Sequence, residues 1–351
     1  MELVNSTPLP ARLDVAYLER SMYRVGMIVA KATYNFDAHG HVTMEIDDPY
    51  PIYLKDVETE LGLLPRDDLP RTDEAFEVIL LGAAHAPQNE VREMIVSLQV
   101  GEIRRELLVF GDREWIDSAG EKNISEPIPF IRMPLTYGNA FGGTCEIWID
   151  KESSIDISEP LNAVGKGMNP YQFFEEIKDM LATPEGYPRY GGKRELPNIE
   201  DPRNRITKWD DRPLPKCWAT VPLDSALHAQ RGIDFPQDTE LLDFSVQVKE
   251  GIFHRAHPDW IIDMPPAGVE IIMQGLTPSG NVSFNLPLLR VMFDYIIGER
   301  TGTRELRPQM LVLLPEEMRF YLVYKYVFPF EPEFEEERSL RLRIEEGWIA
   351  D

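Results

Sequence analysis

"RVGMIVAKATYNF", Arg24 to Phe36, is the stretch on which the fold turns. It is rich in apolar and β-branched residues on both faces, which is the pattern of a strand covered from two sides. "DAHG" follows with turn-forming residues, and "HVTMEID" after it alternates, so the two runs predict a first hairpin. Working outward, "AFEVILLGAA", "REMIVSLQV", "RRELLVFGD" and "CEIWID" predict further strands in the first half. Beyond Arg212 the pattern resumes in "ELLDFSVQV", "VEIIMQGL", "NVSFNLP", "RVMFDYII", "QMLVLLP" and "MRFYLVYKYVF". "TPSGN" and "GERTGTR" are the turns that join neighbours among them. "SLRLRIEEG" sets Leu340, Leu342 and Ile344 against charges and predicts a last edge strand. With 29 prolines spread between short apolar runs, helices have little room. The expected fold is mainly β (all-β or β-rich α+β), with antiparallel sheets in sandwich-like lobes.

The middle is different. Residues 155–212 are rich in Pro, Gly, Asn and acidic side chains and predict long surface loops around one helix. That helix is "NPYQFFEEIKDMLATPEG", with Asn169 as cap, Pro170 at its first position, and Phe173, Phe174, Ile177 and Met180–Leu181 at helical spacing. The division this suggests is a β-rich lobe over 1–154, a connection over 155–212 and a second β-rich lobe over 213–351, or else one continuous domain. A short echo between "EVILLG" and "EIIMQG" raises the idea that the lobes are duplicates.

Charge narrows the partners. The chain carries 36 Lys and Arg against 60 Asp and Glu, a formal net charge of −24. Nucleic-acid affinity comes largely from cations that displace counterions, and anionic membranes attract the same cations, so neither partner is expected. Two cysteines, no secretory leader pattern and no apolar run near 20 residues predict a cytoplasmic protein.

The motifs for chemistry are thin. "MPLTYGNAFGG", Met133–Gly143, is neither a P-loop nor a dinucleotide loop, and "AVGKGMNP" lacks the strand-loop setting of either. Cys145 follows the glycine pair and could be a thiol nucleophile beside backbone amides, but no histidine is placed with it. His254, His257, Asp259 and Asp263 in "HRAHPDWIID" have metal-ligand chemistry without regular spacing, and His39 and His41 sit in a hairpin turn. No catalytic residue, metal ligand or cofactor is assigned. Tyr137, Phe141, Trp115, Tyr187, Tyr190, Trp209, Trp218 and Trp260 lie in or beside turns, as interface anchors or as satellite cores under loops.

Several segments, in one order along the chain, carry a family resemblance. They include "KATYNFD", "RTDEAFEVILLGAAHAP", "VFGDREW", "MPLTYGNAFGGT", "NAVGKGMNP", "LPNIEDPRNRI", "WDDRPLPKCWATVP" and "GVEIIMQGLTPSGNVSFNLP". From roughly Val25 to Phe328 the chain resembles a bacterial family of uncharacterised domains found beside type VI secretion genes, departing from it at Asn139, where members often have Arg or Glu. The resemblance implies a non-enzymatic adaptor or chaperone whose partners are a toxic effector protein, the valine-glycine repeat spike, or both. It implies no catalytic residues. Its most specific positions are Tyr137, Phe141, Gly142, Gly143, Pro197 and Asn198, as a structural or partner-binding loop. The rival expectations are a Cys145-dependent amidase or other hydrolase, and a structural component of the secretion apparatus.

Overall fold

The computed structural model describes residues 2–17, 24–71, 73–118, 121–148, 153–173, 189–190, 194–222, 253–297, 299–330 and 338–345. Its largest sheet is built around Arg24–Phe36. That strand pairs antiparallel with Arg319–Phe330 over its whole length, from Asn35 opposite Arg319 to Arg24 opposite Phe330. Its other edge is shared between Ala11–Tyr17 and Val42–Glu45. The second of these closes the first hairpin, in which Asp37 Oδ1 accepts the His39 and His41 amides at 2.8 and 2.9 Å. On the far side of Arg319–Phe330 the order continues through Arg300–Leu314, Val291–Ile297, Arg338–Ile344 and Glu2–Asn5.

The two apolar faces of Arg24–Phe36 have two different covers. Tyr34 and Phe36 turn toward a second sheet, where Phe284 stacks on Phe320 at 4.9 Å and Phe36 on Phe284 at 5.1 Å. Lys31 and Thr33 turn the other way, onto the segment after the first hairpin. There Lys31 Nζ donates to the Pro51 carbonyl at 2.8 Å and Thr33 Oγ1 accepts the Tyr50 amide at 2.9 Å. Each large side chain fully buried in such a layer contributes about 1.5–3 kcal/mol, which is why this strand needs both covers.

The second sheet has the order Ile199–Glu200, Ile103–Phe110, Glu93–Val100, Glu270–Thr277, Gly280–Asn285. Its inward residues, among them Val96, Leu98, Leu107, Val109, Ile271 and Met273, share one hydrophobic core with the large sheet. The architecture is therefore β-rich and sandwich-like. Each sheet takes strands from both sides of the loop-rich middle.

Two readings need correction. "SLRLRIEEG" is not an edge, because Glu2–Asn5 pairs in parallel along it; its alternation holds, with Leu340 and Leu342 buried. "GERTGTR" is a shorter turn than expected, since Arg300–Arg304 already pair with Val291–Ile297. The sheets pair mostly antiparallel, as expected, and Glu77–Leu80 add a parallel pairing with Met310–Leu313, where the long strand shifts register past Pro308. The two echoing segments lie in different sheets with different partners. Of the expected helix, Pro170–Phe173 forms one 3-10 turn, with the Tyr171 amide donating to Asn169 Oδ1 at 3.0 Å. Its remainder and "ELLDFSVQV" lie outside the described residues.

Candidate functional site

The fold draws the family segments of the middle into one joint. Tyr137–Asn139 make a single 3-10 turn, after which Phe141–Gly142 pair in parallel with Lys166–Gly167. Gly142 and Gly143 have φ of +147° and +108°. A Cβ on Gly142 would sit 2.1 Å from the Asn162 carbonyl oxygen, so both the backbone angle and the space demand glycine. Asn162 ties the turn together by donating its Nδ2 to the carbonyls of Tyr137 and Phe141 at 2.8 and 2.9 Å. The "LPNIEDP" segment closes the joint from the other side. The Asn198 amide donates to the Asn139 carbonyl at 2.8 Å, and Asn198 Nδ2 donates to Phe110 O and Asp112 Oδ1.

Under this joint lies a buried ion pair, Arg113 with Glu200. Arg113 also donates to the Pro197 carbonyl at 3.1 Å, and the second Glu200 oxygen accepts the Ile206 amide at 3.0 Å. Burial pushes Glu200 up and Arg113 down from their ordinary values, so desolvation outweighs their mutual attraction. Tyr137, Phe141, Gly142, Gly143, Pro197 and Asn198 are thus brought together. Tyr137, Phe141 and Asn198 are buried, and the contacts described here are to other parts of the chain. Of the loop aromatics, Trp115 and Phe141 enter a small core with Leu196 and Ile206. Trp218 and Trp260 cross edge to face at 5.9 Å in the main one. Tyr187 lies outside the described residues.

A second buried network was not visible in the sequence. Lys31 Nζ lies 2.6 Å from Asp67 Oδ2, with both side chains fully buried, and sits over the rings of Tyr53 and Tyr321 at 4.2 and 4.3 Å. Nearby, Arg71 bridges Asp73 at 2.6 Å and Glu77 at 2.8 Å, and Arg255 grips Asp56 through two 2.8 Å bonds. His254 Nε2 reaches Asp73 at 2.8 Å. Hydrogen bonds from His254 and Arg71 hold the Asp73 carboxyl well below its usual range against the burial that would raise it. Lys325 donates to Leu69 O at 3.0 Å, and desolvation brings it down to about 8. The only sequence signal was a lone lysine inside an apolar run. These charges pin the 51–73 segment and the 254–257 segment to the sheet.

The candidate nucleophiles and ligands separate. Cys145 is buried and desolvation pushes its thiol up to about 11; Cys217, also buried, is pushed up to about 12. An activated nucleophilic cysteine needs the opposite shift. At pH 8 a thiol at about 11 is ionised to roughly one part in a thousand, so both should alkylate at least a hundredfold more slowly than free cysteine until the chain is unfolded. Labelling with iodoacetamide, with and without denaturant, checks this. His257 Nδ1 accepts the Asp259 amide at 3.1 Å and caps Pro258–Trp260, while His254 belongs to Asp73. Among the described residues no group of three or more His, Cys, Asp or Glu is arranged to hold a metal.

The described surface also holds an open feature. A cleft of about 560 Å³ lies between the start of Glu93–Val100, the Thr277–Gly280 turn and the His85–Pro87 loop. Ile95 on its wall is 54% exposed, and Ile128 and Ile131, which flank Phe130, are 61% and 63% exposed. Phe130 bridges Val91 at the end of the same cleft. Scattered exposed apolar residues are ordinary, but Ile95 lines the cleft, and the Ile131 carbonyl accepts the Ala86 amide of its wall at 2.8 Å.

A family model described as an uncharacterized protein conserved in bacteria, DUF2169, matches residues 22–325. No curated protein and no solved structure matches the chain. The match covers most of the chain, and the chain belongs to this family.

Proposed function

We propose that this DUF2169 chain is a non-enzymatic adaptor that binds a type VI secretion effector and helps load it onto the valine-glycine repeat spike. The observation that carries the binding part is exposed Ile95 on the wall of the cleft, in a chain of net charge −24. An exposed apolar side chain at a cleft of an acidic chain suits a client that exposes apolar segments among basic ones. The secretion setting rests on the resemblance of the motifs. Binding would protect the client by mass action, as any ligand of a folded state does.

Two features favour binding over thiol chemistry. The cysteines are buried with raised thiols, and the glycine loop next to Cys145 is occupied by Asn162 and the 165–168 segment.

Recovery of the tagged protein from its native cells tests the proposal. The expected result is one toxin-like or spike protein, retained at low salt and depleted near 1 M salt, where screening shortens from about 10 Å to about 3 Å. Recovery without any such protein would sink the adaptor reading. Recovery indifferent to salt would remove its electrostatic part.

A further inference from the structure

The cleft contains an interrupted strand edge. Glu93–Val100 pairs with Ile103–Phe110 over its full length. On its other edge it pairs with Glu270–Thr277 only from Val100 to Ser97, where the register stops at Gln274. Farther back on that edge, Val91 exchanges both backbone bonds with Phe130 at 2.9 Å. Between these two anchors, Glu93–Val96 have no paired strand on that side among the described residues.

The gap has a physical cause. At Gly275 the backbone takes φ +69°, its amide turns to Asn281 Oδ1 at 3.1 Å, and the register with Gly280–Asn285 slips. Leu276 and Thr277 are buried, Gly275 lies against Met94 and Val96, and the ladder with Glu93–Val100 does not resume beyond Gln274. Backbone direction follows from alternation along an antiparallel strand. Arg92 O accepts from Gly111 on the Ile103–Phe110 side, and the Gly101 amide donates to Glu270 on the other. Glu93 and Ile95, in phase with Val91 and Gly101, therefore aim their amides and carbonyls at the cleft. An open edge of this kind is a template for another strand, and natural proteins usually blunt one with charge or proline. Here its middle residue is a half-exposed isoleucine.

We propose that Glu93–Val96 is a strand-acceptor site, taking an extended segment of about four residues from a partner protein by strand addition. The segment carries an apolar side chain beside Ile95 and basic residues at its flanks. Charge selects this occupant. A second copy of a chain at −24 is repelled, whereas exposed Glu90 beside Val91, and Glu93, which Arg205 reaches only at 3.7 Å, favour Lys or Arg. That the partner is the client rests on the adaptor reading above.

The test uses the full chain in its native cells. A photo-crosslinking amino acid at position 95 should join one partner protein, and mass spectrometry should place the link in a segment of alternating apolar residues with basic flanks. Ile95→Lys should weaken recovery of that partner at least tenfold, while Ile95→Thr, which keeps a β-branched residue, should retain most of it. Thermal unfolding of both variants should match the parent within a few degrees, showing that loss of binding is not loss of fold. A partner recovered equally by parent and Ile95→Lys, with no crosslink from position 95, overturns the acceptor site and leaves the adaptor reading standing. A crosslink only to another copy of this chain overturns it in favour of self-pairing. No partner recovered by the parent overturns both.

Discussion

Replacing Lys31 by methionine should cost about 3–5 kcal/mol of unfolding free energy, the usual penalty for leaving one member of a buried ion pair behind. Asp67 would keep its place at zero exposure with the Tyr53 amide, at 2.7 Å, on one oxygen. Its other oxygen, Oδ1, is buried with no hydrogen-bond partner among the described residues. Asp67→Leu should cost a similar amount by stranding the ammonium between two tyrosine rings. The double variant should recover most of either loss, because a well-packed apolar pair is often as stable as the ion pair it replaces. Denaturant unfolding of the four proteins gives the coupling directly. The sign with pH is also fixed. Desolvation lowers the Lys31 pKa against the pull of Asp67, and without Asp67 the lowering deepens. A lysine whose folded pKa is depressed binds fewer protons folded than unfolded, so stability rises as pH climbs from the folded value toward the ordinary one. The Asp67→Leu deficit should therefore shrink as pH rises toward the ordinary lysine value of 10.5, and the Lys31→Met deficit should not shrink for this reason. Two additive single losses with no recovery in the double would show that the pair is not what holds the 51–73 segment.

The strands were legible because their signal is local. Arg24–Phe36 advertised two buried faces, and it has two covers. Leu340 and Leu342 alternated with charges, and they are buried. What was hidden depends on pairing between distant segments. Turns such as "TPSGN" dictate only which neighbours in sequence pair, so nothing announced that Glu2–Asn5 would cover Arg338–Ile344. The parallel pair of Glu77–Leu80 with Met310–Leu313 was hidden for the same reason. Lys31 stood out as one charge in an apolar run, yet its partner is one acid among 60, found only when the chain folds back at Tyr53. The strand-acceptor edge was harder still. Gly275 looks like any glycine near a turn, and its consequence, Glu93–Val96 unpaired on one edge among the described residues, exists only in the register. The motif loop was located by its glycines, but its function in the fold needed Asn162, whose side chain closes the turn from outside the motif.

Gly142→Ala should be the most damaging single-methyl change in that loop. Two costs add. At φ +147° an L side chain is strained by about 1–3 kcal/mol. The new Cβ, 2.1 Å from the Asn162 carbonyl, must also displace the group that accepts the Gly143 amide at 2.8 Å. Leaving that buried amide unpaired costs about 1–3 kcal/mol more. The sum is about 3 kcal/mol or above, a fall in Tm of roughly 4 °C or more for a chain of 351 residues. Gly268→Ala is the control, because Gly268 also has positive φ, at +74°, but a Cβ there meets nothing within 4 Å. It should lose only its own strain, about 1 kcal/mol, so the difference between the variants is the clash together with the greater strain at φ +147°. The same protein decides what the loop is for. Tyr137, Phe141 and Asn198 are sunk in the joint, so a partner docking elsewhere feels Gly142→Ala only through global stability. At a temperature well below its Tm the variant should then bind its partner as the parent does. A folded Gly142→Ala protein that no longer binds would place the contact surface on this loop, and would move attention from the Ile95 edge to the joint itself.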